Sequence, residues 1–180
     1  MSSESPFILT LKFDEQTFEK LNELRKQHFP PKRNVVPAHV TLFHDLPAGK
    51  ESVLRQTLTE VCLATAVLPL GFPKLRSLGK GVAVEVVCPE WIELRERLSN
   101  VWRGFLGAQD SRVIKPHVTI QNKVTPDEAR ALYDNLSKTW QPFDGRGEGL
   151  LLWRYLGGPW ELTNEFLFTQ AGELTADERR

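Results

Sequence analysis

The chain has 180 residues, a length that suits one domain or two small lobes sharing a core. Its 23 basic and 23 acidic residues give a formal net charge of zero, which argues against a protein that coats long nucleic acid through many phosphate contacts. No apolar run approaches the roughly 20 residues of a membrane span, and the N-terminal residues lack a signal-peptide pattern. We therefore expect a cytoplasmic monomer without membrane contact, with room for a small anionic ligand at one local site.

The first half of the chain is predicted to alternate strands and helices. Residues 7–13 alternate as a strand, and Asp14 is placed to cap the helix that follows. A loop rich in proline and basic residues then leads to a second strand in PAHVTLF, residues 37–43. A helix around residues 54–62 and an extended segment over residues 68–78 complete this half.

The second half is predicted to repeat this order of elements. It contains a strand, a helix, a second histidine strand in KPHVTIQ, a helix that opens with a capping box at Thr125, and two closing strands. These six segments cover residues 82–87, 91–105, 115–121, 125–140, 150–156 and 162–169. The glycine-rich stretch at residues 145–149 is predicted to be a flexible turn, and residues 171–180 a frayed tail.

The two histidine strands lie at matching places in this duplicated order, 78 residues apart (117 − 39). The sequence therefore predicts an α+β fold with two pseudo-symmetric lobes, over about residues 6–78 and 81–170. Each lobe is expected to hold a mostly antiparallel sheet with packed helices. A central cleft between the lobes is expected to carry both His-x-Thr motifs in a single domain.

Strand alternation predicts which side chains line that cleft. Residues i and i+2 of a strand share a face, so every second residue of each motif points away from the core of its own lobe. The apolar residues between them are expected to pack on the helices. The cleft faces are predicted to carry His39, Thr41 and Phe43 in the first strand and His117, Thr119 and Gln121 in the second.

Two imidazoles and two hydroxyls in one cleft suit phosphoryl transfer without a metal. A neutral imidazole can take a proton from an attacking hydroxyl while a protonated one gives a proton to the leaving oxygen. Threonine hydroxyls can donate to the non-bridging oxygens, and we assign this phosphate-binding role to Thr41 and Thr119. His28 is interpreted as a helix end, and His44 as a strand end on the face opposite His39, so we expect no metal site and no cofactor. No ATP-binding glycine loop is found either.

These motifs carry a resemblance to a known family. HVTL and HVTI, one in each half, resemble the paired motifs of the 2H phosphoesterase superfamily, and the resemblance spans residues 7 to about 169. The segments PAHVTLFHDLP, KPHVTIQNKVTP and LLLWRYLGGPWE are most similar to its bacterial 2′-5′ RNA ligase-like branch, which includes RNA 2′,3′-cyclic phosphodiesterases. The sequence departs from better-known members because no definite arginine follows the second motif, where Lys123 is the nearest cation.

The resemblance implies an enzyme that opens 2′,3′-cyclic phosphates at RNA ends or on small nucleotides, with possible reversal to 2′-5′ ligation. It further implies that His39 is the general acid and His117 the general base. A phosphodiesterase of linear 2′-5′ oligonucleotides and a non-catalytic module that binds nucleotides or RNA ends are the alternatives. The candidate substrate-binding residues are Phe43, Gln121, Lys115, Lys123, Arg33 and Tyr155.

Overall fold

A computed structural model describes residues 4–169, and these residues form eight strands and four helices. The predicted tail at residues 171–180 lies outside the described residues. The strands are β1 (Phe7–Phe13), β2 (Thr41–Leu46), β3 (Leu68–Phe72), β4 (Leu75–Ser77), β5 (Val82–Glu85), β6 (His117–Gln121), β7 (Phe143–Tyr155) and β8 (Trp160–Leu167). The helices are α1 (Glu15–His28), α2 (Glu51–Leu63), α3 (Pro89–Val101) and α4 (Pro126–Thr139).

The strands form two antiparallel sheets, which confirms the predicted α+β class. The larger sheet has the order β2-β1-β7-β3, with β8 also paired to β7, and the smaller has the order β4-β5-β6. Strands β3 and β8 pair with different stretches of β7, residues 143–147 and 149–155. A backbone bridge between Gly71 and Val87 joins β3 to the segment that follows β5.

The assignment of strands to the two sheets differs from the predicted division of the chain into lobes. Strands β7 and β8, expected in the second lobe, belong to the sheet that contains β1. The 13-residue β7 is long enough to pair with β1 along one edge and with β3 and β8 along the other. The order of elements repeats as predicted, but the two sheets are unequal, with five and three strands.

The glycine-rich stretch at residues 145–149 lies inside β7, so its prediction as a flexible turn is wrong. These glycines mark places where neighbouring atoms approach the strand backbone closely. A Cβ at Gly149 would stand 2.4 Å from the Phe166 carbonyl oxygen, which is too close for any side chain. Glycine is favoured both in turns and in strands whose backbone is closely packed. A glycine-rich composition alone therefore does not distinguish a turn from a strand.

The buried stripes of two helices include arginines. The buried residues of α1 are Thr17, Leu21 and Arg25, and the guanidinium of Arg95 lies on the buried face of α3. The capping box at the start of α4 is formed as predicted, because Thr125 and Glu128 each accept a backbone hydrogen bond from the other. None of the helices in residues 4–169 is long and apolar enough to cross a membrane.

Candidate active site

The two motif histidines are held by the same local hydrogen bond. His39 Nδ1 lies 2.7 Å from the Pro37 carbonyl oxygen, and His117 Nδ1 lies 2.9 Å from the Lys115 carbonyl oxygen. A carbonyl oxygen only accepts hydrogen bonds, so Nδ1 carries the proton in both neutral rings. The bond fixes each ring and leaves Nε2 with a lone pair. Both imidazoles are therefore set to accept a proton at Nε2 or, when charged, to donate one.

Burial holds the pKa of both imidazoles below the ordinary value for histidine. It lowers the pKa of His39 to about 4, against a smaller opposing effect of the Pro37 hydrogen bond. The charges of Arg25, His44 and His117 lower this pKa further. His44 and His117 are thus among the groups whose electrostatic effect extends to His39.

The pKa of His117 is lowered for related reasons. Burial has the largest effect, and the hydrogen bond to Lys115 opposes it. The charges of Arg76 and His44 also lower this pKa. In the protein without ligand, both motif histidines are thus neutral at pH 7, and an anionic phosphate between them would favour the protonated form of either ring.

Each histidine strand carries a β-bulge directly after its threonine. Thr41 pairs with Thr10, but the next pair is Phe43 with Leu9, so one extra residue separates the two pairs. In the other sheet, Thr119 pairs with Ala83 and the next pair joins Gln121 to Val82. A bulge residue reverses the alternation of the strand beyond it. His39, which lies just before β2, and Thr41 are half-buried next to buried Val40 and Leu42. The predicted alternation of burial thus extends as far as each threonine and fails for the residues that follow.

Phe43 and Gln121 are consequently in the core, and their prediction as substrate-binding residues is wrong. Phe43 is fully buried, and its ring centroid lies 5.2 Å from that of Trp102. The guanidinium of Arg95 lies 4.8 Å from the same ring centroid, so Phe43 presents no free surface to a base. Gln121 is also buried, and its side-chain oxygen has no hydrogen-bond partner among the described residues.

The remaining predicted recognition residues lie at the surface. Lys115, Lys123 and Arg33 are exposed, and none of them forms an ion pair within residues 4–169. Lys115 is tied to the site through its carbonyl group rather than its ammonium group. Tyr155 is 38% exposed and alternates to the same face of β7 as Trp153. A role for these four residues in substrate binding stays a prediction.

Two arginines that the sequence analysis did not single out lie at the site. Arg25 is 4% exposed and donates to the Thr119 carbonyl oxygen over 2.9 Å and to Asn34 Oδ1 over 2.9 Å. A guanidinium nitrogen of Arg76 lies 3.3 Å from His117 Nδ1. Both atoms carry hydrogens, so this approach is a contact between two donors and leaves the bond from His117 to Lys115 intact. Arg76 is also ion-paired with Glu85 over 3.5 Å, so the buried guanidinium of Arg25 is the cation that these two arginines add without a carboxylate partner among the described residues.

A cavity lies against His39 on the same face of the large sheet as Thr10. It has a volume of about 540 Å³, which is in the range of pockets for small molecules. Trp153, three leucines and two phenylalanines line its apolar part, and Lys12, Glu15, Glu148 and Glu165 are also among its lining residues. The ring of Trp160 lies over His39, with centroids 4.7 Å apart, and is 6.0 Å from the ring of Trp153.

The lowered histidine pKa values predict that stability falls with acidification. Unfolded His39 takes up a proton near pH 6.5 but folded His39 only near pH 4, so the unfolded state binds more protons between these values. The free energy of unfolding is therefore expected to fall as the pH drops from 6.5 to 4, by on the order of 2 to 3 kcal/mol from His39. Denaturant unfolding at several pH values measures this. His39→Gln should flatten the dependence, and parallel curves for the two proteins would contradict it.

Comparison with known proteins identifies a family and a fold. The family model described as the 2′-5′ RNA ligase superfamily matches residues 13–159. A search of curated proteins finds no significant relative. Among solved structures, Escherichia coli LigT complexed with 3′-AMP has a TM-score of 0.63 at 17% identity, covering 93% of this chain and 99% of that one. TT0787 of Thermus thermophilus has a TM-score of 0.63 at 16% identity, covering 92% and 98%. LigT complexed with NADP+ has a TM-score of 0.60 at 19% identity, covering 94% and 100%.

Proposed function

The chain belongs to the 2′-5′ RNA ligase superfamily of 2H phosphoesterases, and we propose that it opens 2′,3′-cyclic phosphates without metal or ATP. The observation that carries this proposal is the pair of identically anchored imidazoles, His39 and His117, each with Nε2 free. A cyclic phosphodiester needs one group to activate water and one to protonate the leaving oxygen. Two histidines can supply both functions, because an imidazole acts as a base when it is neutral and as an acid when it is protonated.

In the proposed reaction, water attacks phosphorus while His117 takes its proton at Nε2. The bond from phosphorus to the 3′-oxygen breaks, and protonated His39 gives its proton to that oxygen. The product is a 2′-phosphomonoester with a free 3′-hydroxyl. Thr41 and Thr119 donate hydrogen bonds to the non-bridging oxygens, where negative charge gathers in the transition state. A 5′-hydroxyl in place of water would give a 2′-5′ linkage by the same proton transfers.

The cavity beside His39 suits the nucleoside part of a short substrate. Its volume of about 540 Å³ fits one nucleoside, and the indole of Trp153 offers an apolar wall for a base. Three carboxylates and one ammonium group, on Glu15, Glu148, Glu165 and Lys12, give its rim a negative balance. A phosphate at the 5′-position of the nucleoside would approach these carboxylates. We therefore propose nucleoside 2′,3′-cyclic phosphates as the preferred substrates, ahead of RNA ends, whose terminal nucleoside carries a 5′-phosphodiester.

A turnover assay in EDTA tests the function. Purified protein should hydrolyse a nucleoside 2′,3′-cyclic phosphate with a bell-shaped profile of kcat/KM against pH. That profile reports the free protein, in which both histidine pKa values are below 6.5, so its maximum should lie below pH 6.5. A maximum above pH 7.5, or a rate abolished by EDTA, would contradict the mechanism.

The choice of substrates separates the alternatives. The panel should contain a nucleoside 2′,3′-cyclic phosphate, its 5′-phosphorylated counterpart, a cyclic-phosphate-ended RNA and a linear 2′-5′ oligonucleotide, with the product phosphate located by 31P NMR. We expect the compound without a 5′-phosphate to react fastest at low salt. Faster cleavage of the linear 2′-5′ oligonucleotide would favour that alternative. Tight binding of all four compounds without turnover would favour a binding module.

A further inference from the structure

We propose that His44, held by the buried carboxylate of Asp110, is a third functional imidazole of the site and binds a phosphoryl oxygen of the substrate through Nε2. This inference rests on the proposed function because it concerns the same phosphate. His44 was interpreted as a strand end turned away from the cleft, and the structure shows why that interpretation is wrong.

The bulge after Thr41 also turns His44 toward the site, and a second irregularity of β2 begins at His44 itself. Phe43 pairs with Leu9 and Leu46 pairs with Phe7, so two residues of β2 stand opposite the single residue Ile8. Ile8 alternates to the same face of β1 as Thr10, which lines the cavity beside His39. His44 therefore shares this face with Thr41, and its side chain is 41% exposed.

Asp110 is positioned to hold this imidazole. Its side chain is fully buried in the loop between α3 and β6, and its two oxygens accept the backbone N–H groups of His44 and Asp45 over 2.8 Å each. Those hydrogen bonds keep the pKa of Asp110 low even though burial acts to raise it. His44 Nδ1 lies 3.5 Å from Asp110 Oδ1, which is ion-pair distance. The pair therefore orients the ring with Nδ1 inward and leaves Nε2 available.

Buried Arg95 fixes the other side of the same junction. It donates to the Leu42 carbonyl oxygen over 2.8 Å and to the Asp110 carbonyl oxygen over 2.8 Å. Strand β2 and the loop before β6 are thus tied together by one arginine and one aspartate. The segment that places His44 is connected in this way to the segment that leads into His117.

The charges around His44 favour an anionic ligand. Asp110 is the acidic group that faces it, while His39 and His117 are close enough to respond to its charge. Arg25 and Arg76 act on the two motif histidines from α1 and β4. A phosphate between His39 and His117 would therefore be near a third ring, which in its imidazolium form donates through Nε2–H to a non-bridging oxygen while Nδ1–H faces Asp110. The phosphate would then be bound by the hydroxyl groups of Thr41 and Thr119 and by the imidazole of His44.

The second half has no equivalent imidazole. Five residues after His117 the chain has Asn122, whose Oδ1 accepts the backbone N–H of Lys123 over 2.8 Å. The bulge is repeated in both halves, whereas the histidine beyond it occurs in the first half alone. His44 therefore adds an asymmetric contact to a nearly symmetric pair of motifs. Such a contact would make the surroundings of the phosphate different on the His39 side and on the His117 side.

His44→Gln tests the proposal, with His28→Gln as the matched control at the end of α1. Glutamine keeps the backbone bonds to Asp110 but removes the imidazole and its Nε2 group. We expect His44→Gln to raise KM for the cyclic substrate, and the Kd for inorganic phosphate and a 2′-phosphomonoester, about tenfold. The melting temperature should stay within about 2 °C of wild type, and NMR titration should show higher pKa values for His39 and His117. His28→Gln should change none of these quantities.

Two results would overturn the proposal. One is unchanged KM and phosphate affinity in His44→Gln; the other is a drop in melting temperature with unchanged phosphate affinity, which would make His44 a loop anchor. Phosphate affinity is measured without turnover, so this test stands even if wild-type protein hydrolyses none of the cyclic substrates. Failure of the proposed function and failure of the role of His44 are therefore distinguishable.

Discussion

Replacing either His39 or His117 with alanine is expected to lower kcat for a 2′,3′-cyclic phosphate by about 10²- to 10⁴-fold. Each ring performs one of the two proton transfers, and the other ring cannot reach both oxygens at once. KM should change less, because Thr41 and Thr119 still contact the phosphate. Steady-state kinetics in EDTA on the two single variants and the double variant measures the effect.

The double variant should be little slower than either single variant, because the two histidines act as one unit in the transition state. His28→Ala is the matched control, since it removes a histidine at the end of α1 that takes no part in the proposed chemistry. Wild-type rates in both single variants would exclude paired-histidine catalysis. Loss of activity in one variant only would leave a single imidazole as the acid-base group.

Replacing Arg25 with methionine is expected to reduce both stability and activity. The guanidinium is buried and bonds to the Thr119 carbonyl oxygen and to Asn34, so its loss leaves buried oxygens without a donor. We expect a loss of about 2 kcal/mol in the free energy of unfolding. A displaced Thr119 should lower kcat by about 10- to 100-fold. Denaturant unfolding and steady-state kinetics measure the two effects.

The variant should also raise the pKa of His39, because the charge of Arg25 is one of the causes that lower it. NMR titration of the histidine ring protons measures this shift. Arg55→Met is the control, since Arg55 forms its ion pair with Glu51 in helix α2 at the surface. Arg25→Met with wild-type kcat and an unchanged titration of His39 would show that Arg25 is a core residue without influence on the site.

The order of elements and the two His-Thr pairs were predictable because each rests on local patterns. The capping box at Thr125 is an example, and it was found where the sequence placed it. The position of β7 was not predictable in the same way. Pairing of β7 with β1 joins residues about 140 positions apart, and no local pattern specifies such a partner. The division of strands between the sheets therefore emerged only from the structure.

The faces of Phe43, Gln121 and His44 were mispredicted for one reason. Strict alternation is valid in a regular strand, and one extra residue reverses every face beyond it. The sequence contains no turn residue or glycine at Leu42 or Ile120 that would mark a bulge. Arg25, in contrast, left a readable signal, because it follows Thr17 and Leu21 at four-residue intervals on the buried stripe of α1.

The repeated bulge divides each strand into a part whose residues are alike in the two halves and a part whose residues differ. Before it, the two halves agree in the His-x-Thr pattern; after it, one half has phenylalanine and the other glutamine at the same step. Both of these side chains point into the core. Their substitution is therefore expected to alter packing in its own half without moving the His-Thr pair that precedes the bulge, so the interiors of the two halves can differ while the paired motif stays the same.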